Sequence, residues 1–217
     1  MSEQTQETTA VDIWEVDPSS ERKPGWKHLA VFLILVLSGT VLGSLSSLSF
    51  RITNAIDPAS PAYGINYFWL GIVVQQVGSI WFGAWGVLAG IVFPFISNSV
   101  TQTPLLISAA YFPANFVQSF LPAWIFRRLK LNPRLESGRD FLYLFLTMVL
   151  SSLFGAFWSV FILVFVLGRL EQGQALLNFF GWFGGNMVAG IFFNYFLLKA
   201  LSPAILKSKR FVKRWWS

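Results

Sequence analysis

The hydrophobic and polar positions of this chain divide it into long apolar stretches separated by short polar segments. A helix of about 20 apolar residues, rising about 1.5 Å per residue, crosses a hydrocarbon core of about 30 Å. The pattern therefore predicts an all-α, polytopic membrane protein with six transmembrane helices. The predicted spans are His28–Phe50, two within Ile65–Ile96, Pro104–Phe126, Phe141–Leu167 and Ala175–Leu201.

The stretch Ile65–Ile96 is apolar throughout and too long for one ordinary span. Gly78, Ser79 and Gly83 offer a break in its middle, so we predict two spans joined by a tight turn near Gly78–Gly83. The distribution of charge supports this division. With a single span, the basic cluster in mid-chain and the basic C-terminus would lie on opposite sides of the membrane, whereas two spans place both on the same side.

The positions of Lys and Arg predict the orientation, because these residues in short loops stay preferentially on the cytoplasmic side. Of the sixteen, only Arg51 and Arg169 lie in the two intervening loops. The other fourteen form three clusters: Arg22, Lys23 and Lys27; Arg127, Arg128, Lys130, Arg134 and Arg139; and Lys199, Lys207, Lys209, Arg210, Lys213 and Arg214. We therefore expect both termini to be cytoplasmic, with a polar tail over 1–27, a membrane domain over 28–201 and a basic, Trp-containing tail over 202–217.

The composition agrees with a membrane protein. The chain is 54% hydrophobic and 12% charged, whereas soluble domains carry about 25% charged residues. The net charge of +6 is explained by orientation, so we do not expect nucleic-acid binding. Since the chain has no Cys, disulfides and thiolate metal sites are excluded. We expect an integral, multi-pass protein of the prokaryotic cell (inner) membrane.

The two tails have different compositions. The N-terminal tail is polar and acidic, and we expect it to be solvated together with Trp14. The C-terminal segment Lys207–Trp216 mixes bases with Trp215 and Trp216, which suits an anchor on anionic lipid headgroups. Membrane lipid is therefore one expected partner.

No ionisable side chain lies in the middle of a predicted span. Proton-coupled pumps need an intramembrane group that changes charge, and intramembrane proteases need a catalytic Ser–His or paired Asp. With a single histidine, a histidine-rich metal cage is excluded as well. We therefore expect a protein that is not an enzyme and that uses no metal or other cofactor.

Neutral polar residues remain at depth and indicate a binding site. The predicted topology directs Asn98, Asn115, Trp182 and Asn186 toward the outer side, with Gln75 nearer mid-depth. One interpretation is a pocket for a small, uncharged or zwitterionic ligand, lined by aromatic rings and a few amides. The alternative is hydrogen bonding between helices, which Asn and Gln commonly provide in membrane bundles.

Small residues recur every four positions on the first span, at Gly39, Gly43 and Ser47. Such stripes let two helices approach closely, either within one chain or between chains. We therefore predict a docking surface for a partner protein, with internal packing as the alternative.

Several motifs together resemble the substrate-binding S components of energy-coupling-factor (ECF) vitamin transporters. They are the aromatic and glycine-rich stretch Trp81–Gly90, then Asn115, a helix closing on Arg127-Arg128, and the stripe Gly39-x-x-x-Gly43. The resemblance implies that the stripe docks on a transmembrane coupling subunit and that the ligand lies near the outer face. The segment Gly181–Asn186 is similar to the last helix of integral-membrane sensor domains.

Two functions follow as expectations. The first is a membrane-embedded binding subunit for a small, vitamin-like molecule that works with partner proteins, as an S component does. Energy for reorientation would come from a partner, because the phosphate-binding pattern Gly-x-x-x-x-Gly-Lys-[Ser/Thr] does not occur. The alternative is a non-transporting sensor or an assembly protein that packs against a larger membrane complex.

Overall fold

The computed structural model describes residues 13–15, 25–49 and 68–216, and the regular structure in these ranges is helical throughout. Among these residues, three helical segments are long and apolar enough to cross a membrane: Trp26–Ser47, Gly138–Val166 and Gln172–Lys207. The helices are α1 (Trp26–Ser49), α2 (Gly71–Phe82), α3 (Ala84–Val100), α4 (Leu105–Ala110), α5 (Phe112–Arg128), α6 (Gly138–Phe161) and α7 (Ala175–Lys207).

Helix α2 is the centre of the bundle. All twelve of its residues are buried, and it packs against α1, α3, α5 and α7. Its apolar side chains Ile72 and Ile80 are fully buried, as are Phe126 of α5 and Leu198 of α7. A helix that is apolar and buried on all sides is typical of the interior of a bundle.

Gly83 separates α2 from α3, which confirms the predicted break in the long apolar stretch. Its φ is +57°, a conformation that favours glycine, and a Cβ there would lie 2.7 Å from the carbonyl oxygen of Trp215. The two helices fold back against each other, so that Gly86 lies directly against the backbone at Gly78. The glycines therefore serve both the turn and the close packing after it.

The predicted span Pro104–Phe126 is interrupted at Tyr111, where α4 ends and α5 begins. Pro113 explains the position of the break: it has no N–H to donate to the carbonyl of Ala109, and it fits the first turn of a new helix. Trp158 of α6 reinforces the junction, since its Nε1 donates to the carbonyl oxygen of Ala110 at 2.8 Å.

Helix α6 begins at a capping box and ends in a π-helical segment. The Ser137 side chain accepts from the backbone N–H of Asp140, and the Asp140 carboxylate accepts from the backbone N–H of Ser137. The π-helical residues Ile162–Val166 follow α6 directly, and a short 3₁₀ turn, Gln172–Gln174, leads into α7. At 33 residues, α7 is the longest described helix and extends beyond the predicted end at Leu201.

One end of the bundle, which we call the basic end, is organised by Arg127. Its guanidinium donates to the carbonyl oxygens of Val212 (2.8 Å) and Arg214 (2.8 Å) in the C-terminal segment. It also donates to the carbonyl oxygens of Ser79 (3.3 Å) and Ala123 (3.1 Å). The mid-chain basic cluster and the C-terminus therefore lie together, and the opposite end, between α3 and α4, is the far end.

Trp14 joins the same cluster, although the sequence predicts a solvated position for it. Its Nε1 donates to the carbonyl oxygen of Leu131 at 2.8 Å, and its ring lies 5.0 Å from the Arg127 guanidinium. Trp215 approaches that guanidinium at 5.4 Å and stacks on Phe120. A cation between two aromatic rings is stabilised by both ring quadrupoles, so Arg127 connects parts of both tails to the bundle.

Candidate functional site

Two consecutive glutamines of α2, both fully buried, direct polar groups to different sides of the bundle. Gln75 Nε2 donates to the carbonyl oxygen of Gly90 on α3 (2.9 Å) and to Asn115 Oδ1 on α5 (3.2 Å). Gly90 permits this approach, because a Cβ there would lie 3.1 Å from Gln75 Cγ and would collide with Ser119 Oγ. Gln75 thus joins α2, α3 and α5 through one amide group.

Gln76 has partners on the other side of α2. Its Nε2 donates to Ser151 Oγ of α6 at 2.9 Å, and its Oε1 accepts from Asn194 Nδ2 of α7 at 2.6 Å. These contacts are the interhelical hydrogen bonds expected of amides in a membrane bundle. Gln76 therefore agrees with the alternative interpretation, in which buried amides form hydrogen bonds between helices.

Gln118 is different, because it is fully buried and neither its Nε2 nor its Oε1 has a hydrogen-bond partner among the described residues. The side chain lies directly against Gly155 of α6, where any Cβ would collide with Nε2. Ser152 and Ser159 lie one turn to either side of Gly155 on the same face of α6. Their hydroxyl groups are buried and equally without partners in the described structure.

Toward the far end of the bundle, two aromatic side chains carry further polar groups without partners. Tyr111 packs edge-on against Trp182 of α7, with ring centroids 5.3 Å apart. The Tyr111 hydroxyl and Trp182 Nε1 are buried and make no hydrogen bond to any described residue. Asn186 lies one turn after Trp182, is 2% exposed, and has an unpartnered Nδ2.

We call these groups together the polar seam: Tyr111, Gln118, Ser152, Ser159, Trp182 and Asn186. Tyr111, at the start of α5, and Gln118 are two turns apart, about 10 Å along the axis. Ser159 and Ser152 repeat that spacing on the neighbouring α6, and Trp182 and Asn186 lie on α7. The seam therefore runs from the far end toward the middle of the bundle.

Unpartnered polar groups in an apolar interior are costly. A buried hydroxyl or amide without a hydrogen bond costs about 1–3 kcal/mol by mutational measurements, and such groups in a native protein call for an explanation such as bound water or a ligand. Seven of the twelve such atoms among the described residues belong to these six side chains, so water or a ligand could bind there. All of the side chains are neutral at pH 7, so the seam matches neutral or internally balanced groups.

The structure places the five predicted ligand-binding residues in three locations. Trp182 and Asn186 belong to the polar seam, whereas Asn115 and Gln75 bind each other beside it. Asn98 lies elsewhere, in the last turn of α3, where its carbonyl oxygen accepts from the backbone N–H of Thr103 at 2.8 Å. It is two turns, or about 12 Å along the helix, beyond Gly90.

Four residues of the seam are absent from the sequence-based prediction: Tyr111, Gln118, Ser152 and Ser159. Helical spacing offered a signal for two of them, because Tyr111, Asn115 and Gln118 recur at i, i+4 and i+7 and so share one face of a helix. Nothing comparable marked the serines. Hydroxyl side chains in membrane helices usually bond to their own backbone, so their sequence positions do not indicate an unpartnered group.

The predicted partner-docking residues of α1 pack inside the chain. A Cβ on Gly39 would lie 2.5 Å from Phe93 of α3, and one on Gly43 would lie 3.2 Å from Ser97 Oγ. Ser47 is 4% exposed. The stripe therefore provides internal packing between α1 and α3. Docking of a partner on the same residues stays a prediction, and it requires α1 to separate from α3.

No family model, curated protein or solved structure matches this chain. The resemblance to S components therefore stays an expectation from sequence motifs, and the site is interpreted from its own contacts. Among the described residues, no three His, Cys, Asp or Glu side chains gather where they could hold a metal ion. What the polar seam offers chemically is a set of neutral donors and acceptors between aromatic rings.

Proposed function

We propose that this protein crosses the membrane six times and has both termini in the cytoplasm. In addition to the three long apolar helices, α2 and α3 are shorter apolar helices joined at Gly83, and α4 and α5 would together form one span. The contacts of Arg127 with Val212 and Arg214 support a common side for the mid-chain cluster and the C-terminus. The basic end is then cytoplasmic, and the far end is outside.

Reporter fusions test this topology. A reporter fused after Ser60 should be located outside, and one fused after Lys130 should be cytoplasmic. If both reporters were found on the same side, the six-span topology would be wrong, and the polar seam would no longer open toward the outer face.

Within that topology, the proposed role is binding of a small, uncharged or zwitterionic molecule from the outside. The polar seam is the observation that carries this proposal. Six of its seven unpartnered atoms can donate a hydrogen bond, namely two amide nitrogens, the indole nitrogen and three hydroxyls that can also accept, while Gln118 Oε1 only accepts. We therefore expect a ligand rich in acceptor atoms, such as carbonyl oxygens or ring nitrogens, with an apolar part between Tyr111 and Trp182.

The protein would act as a subunit rather than alone. The resemblance to S components supports a role in which capture occurs here and a partner, such as a coupling subunit, supplies the energy for reorientation. Because the seam contains no charged side chain, it supports binding rather than acid–base catalysis. No cofactor is part of this proposal.

A second role, sensing without transport, is favoured by one feature. Helix α7 is continuous from Trp182 and Asn186 in the seam to Lys207 at the basic end. The segment after it is attached to Arg127 through two carbonyl groups. A ligand that shifts α7 would thereby alter the cytoplasmic surface, as expected of a sensor or an assembly protein. Uptake of ligand into vesicles that contain partner proteins would distinguish transport from this alternative.

Ligand-dependent stability tests the binding proposal. We expect a small-molecule extract to raise the thermal midpoint of the wild-type protein by mass action. In Asn186→Leu this shift should be lost, while the matched control Asn98→Leu, outside the seam, should keep it. An unchanged wild-type midpoint, or an equal shift in Asn186→Leu, would contradict binding at the seam.

A further inference from the structure

A second concave surface lies at the basic end, between α6 and α7, away from the polar seam. It is a groove of about 560 Å³ that opens to the outside of the bundle. Its walls are mostly aromatic and aliphatic, and polar groups are confined to the end nearest the start of α6. Its walls include Phe141, Ile191, Phe192, Tyr195, Phe196 and Lys199.

The groove narrows and continues along the same helices. Beyond the groove, the space lined by Leu144, Phe145 and Met148 is only about 10 Å³, so the groove itself is the part that could hold a chain. Along the wall of the groove, from Ile191 to Lys199, α7 rises about 12 Å. That length covers most of one leaflet, which is half of a hydrocarbon core of about 30 Å.

Charge at the rim is unbalanced. Lys199 forms no hydrogen bond or ion pair with a described residue, and it is exposed. The rim's acidic residue, Glu136, is already engaged by Arg134 at 3.4 Å and by Asn132 Nδ2 at 2.7 Å. The one uncompensated charge of the groove is therefore the Lys199 ammonium, at the level where a lipid headgroup would lie.

The helical spacing aligns this charge with the apolar wall. Tyr195, Phe196 and Phe192 precede Lys199 by four, three and seven residues, so all four side chains share one face of α7. Phe192 and Phe196 are 57% and 53% exposed. An apolar track that ends in a cation matches an amphiphile with an anionic head.

We propose that this groove binds one anionic phospholipid of the surrounding cytoplasmic leaflet. The phosphate lies against the Lys199 ammonium, and one acyl chain follows Phe196 and Phe192 along the groove toward Ile191. Cytoplasmic placement of this end rests on the proposed topology. The binding experiment below uses detergent-solubilised protein, so its outcome does not depend on that topology.

Lipid titration monitored by native mass spectrometry tests the site. Purified protein in mild detergent is titrated with phosphatidylglycerol or with phosphatidylcholine of identical acyl chains, and the first bound lipid is quantified. We expect phosphatidylglycerol to bind the wild type at least about fivefold more tightly, a ratio that corresponds to about 1 kcal/mol for one basic residue. Lys199→Met should abolish this preference, and Lys199→Arg should keep it.

Two further variants separate the groove from general charge attraction. Lys207→Met removes another exposed Lys at the end of α7, outside the groove, and should leave the preference intact. Ile191→Trp should fill the groove and weaken binding of both lipids. Equal affinity of the wild type for the two lipids, an unchanged preference in Lys199→Met, the same loss in Lys207→Met, or unimpaired binding to Ile191→Trp would each overturn the proposal.

Discussion

Replacing Gln118 by Met tests whether its amide group binds a ligand or stabilises the helix bundle. Met has a similar length and no amide group, so it removes two buried polar atoms that have no partner among the described residues. Each such atom costs about 1–3 kcal/mol, which sets an upper limit of about 2–6 kcal/mol on the gain from their removal. Any water bound to these atoms would offset part of this cost, so we expect an unchanged or higher stability.

Gln76→Met is the matched control. Gln76 is equally buried but has two hydrogen bonds, to Ser151 and Asn194. Bonds of this kind in membranes average about 0.6 kcal/mol and reach about 1.7 kcal/mol, so we expect a loss of about 1–3 kcal/mol. At about 2–4 °C per kcal/mol for a chain of this size, the thermal midpoint should fall by several degrees.

The assay is the thermal midpoint of the solubilised protein, measured with and without the small-molecule extract. Gln118→Met should lose the ligand-dependent shift without losing basal stability, whereas Gln76→Met should lose basal stability. If the two variants were destabilised equally and both kept the shift, Gln118 would be an ordinary packing residue and the interpretation of the seam would be refuted.

Two other substitutions test the packing and the basic end. Gly39→Leu should lower the thermal midpoint markedly, because Phe93 occupies the space that any side chain would need. The control Gly184→Leu should be tolerated, since no atom of another residue lies within 4 Å of its Cβ position. Equal effects of the two substitutions would contradict the α1–α3 contact. Arg127→Gln should release the C-terminal segment and accelerate its cleavage by a non-specific protease, because the contacts to the two tail carbonyls weaken. The exposed neighbour Arg128→Gln should not change that rate, and equal protection of all three proteins would exclude Arg127 as the attachment point.

Several features of the fold could be predicted because they depend on local sequence. Helix boundaries followed the apolar stretches, and Gly83 interrupted one of them at a position whose positive φ favours glycine. The break at Tyr111 was not predicted, because prolines are tolerated within membrane helices and the sequence alone does not indicate that Pro113 would begin a new helix. Trp14 was placed in solvent because its partners, Leu131 and Arg127, are distant in the sequence.

The candidate site could be predicted only in part, for a related reason. Asn115 and Asn186 are conspicuous as amides within apolar stretches, and both are buried in the structure. Asn98 is equally conspicuous but lies at a helix end, where water or the next turn can form hydrogen bonds with it. Gln118 and Ser159 differ from ordinary polar residues of a span only in lacking a partner, and that property belongs to the packed structure rather than to the sequence.

The central claim is that the polar seam is completed by a small molecule. The most direct measurement is mass spectrometry of the small molecules released when the purified, extract-incubated protein is denatured, with phospholipids excluded. We predict one compound, close to one per chain, in the wild type and its depletion in Gln118→Met at equal protein concentration. A wild-type protein that releases nothing above the detergent blank, or a Gln118→Met protein that retains the compound fully, would contradict the claim.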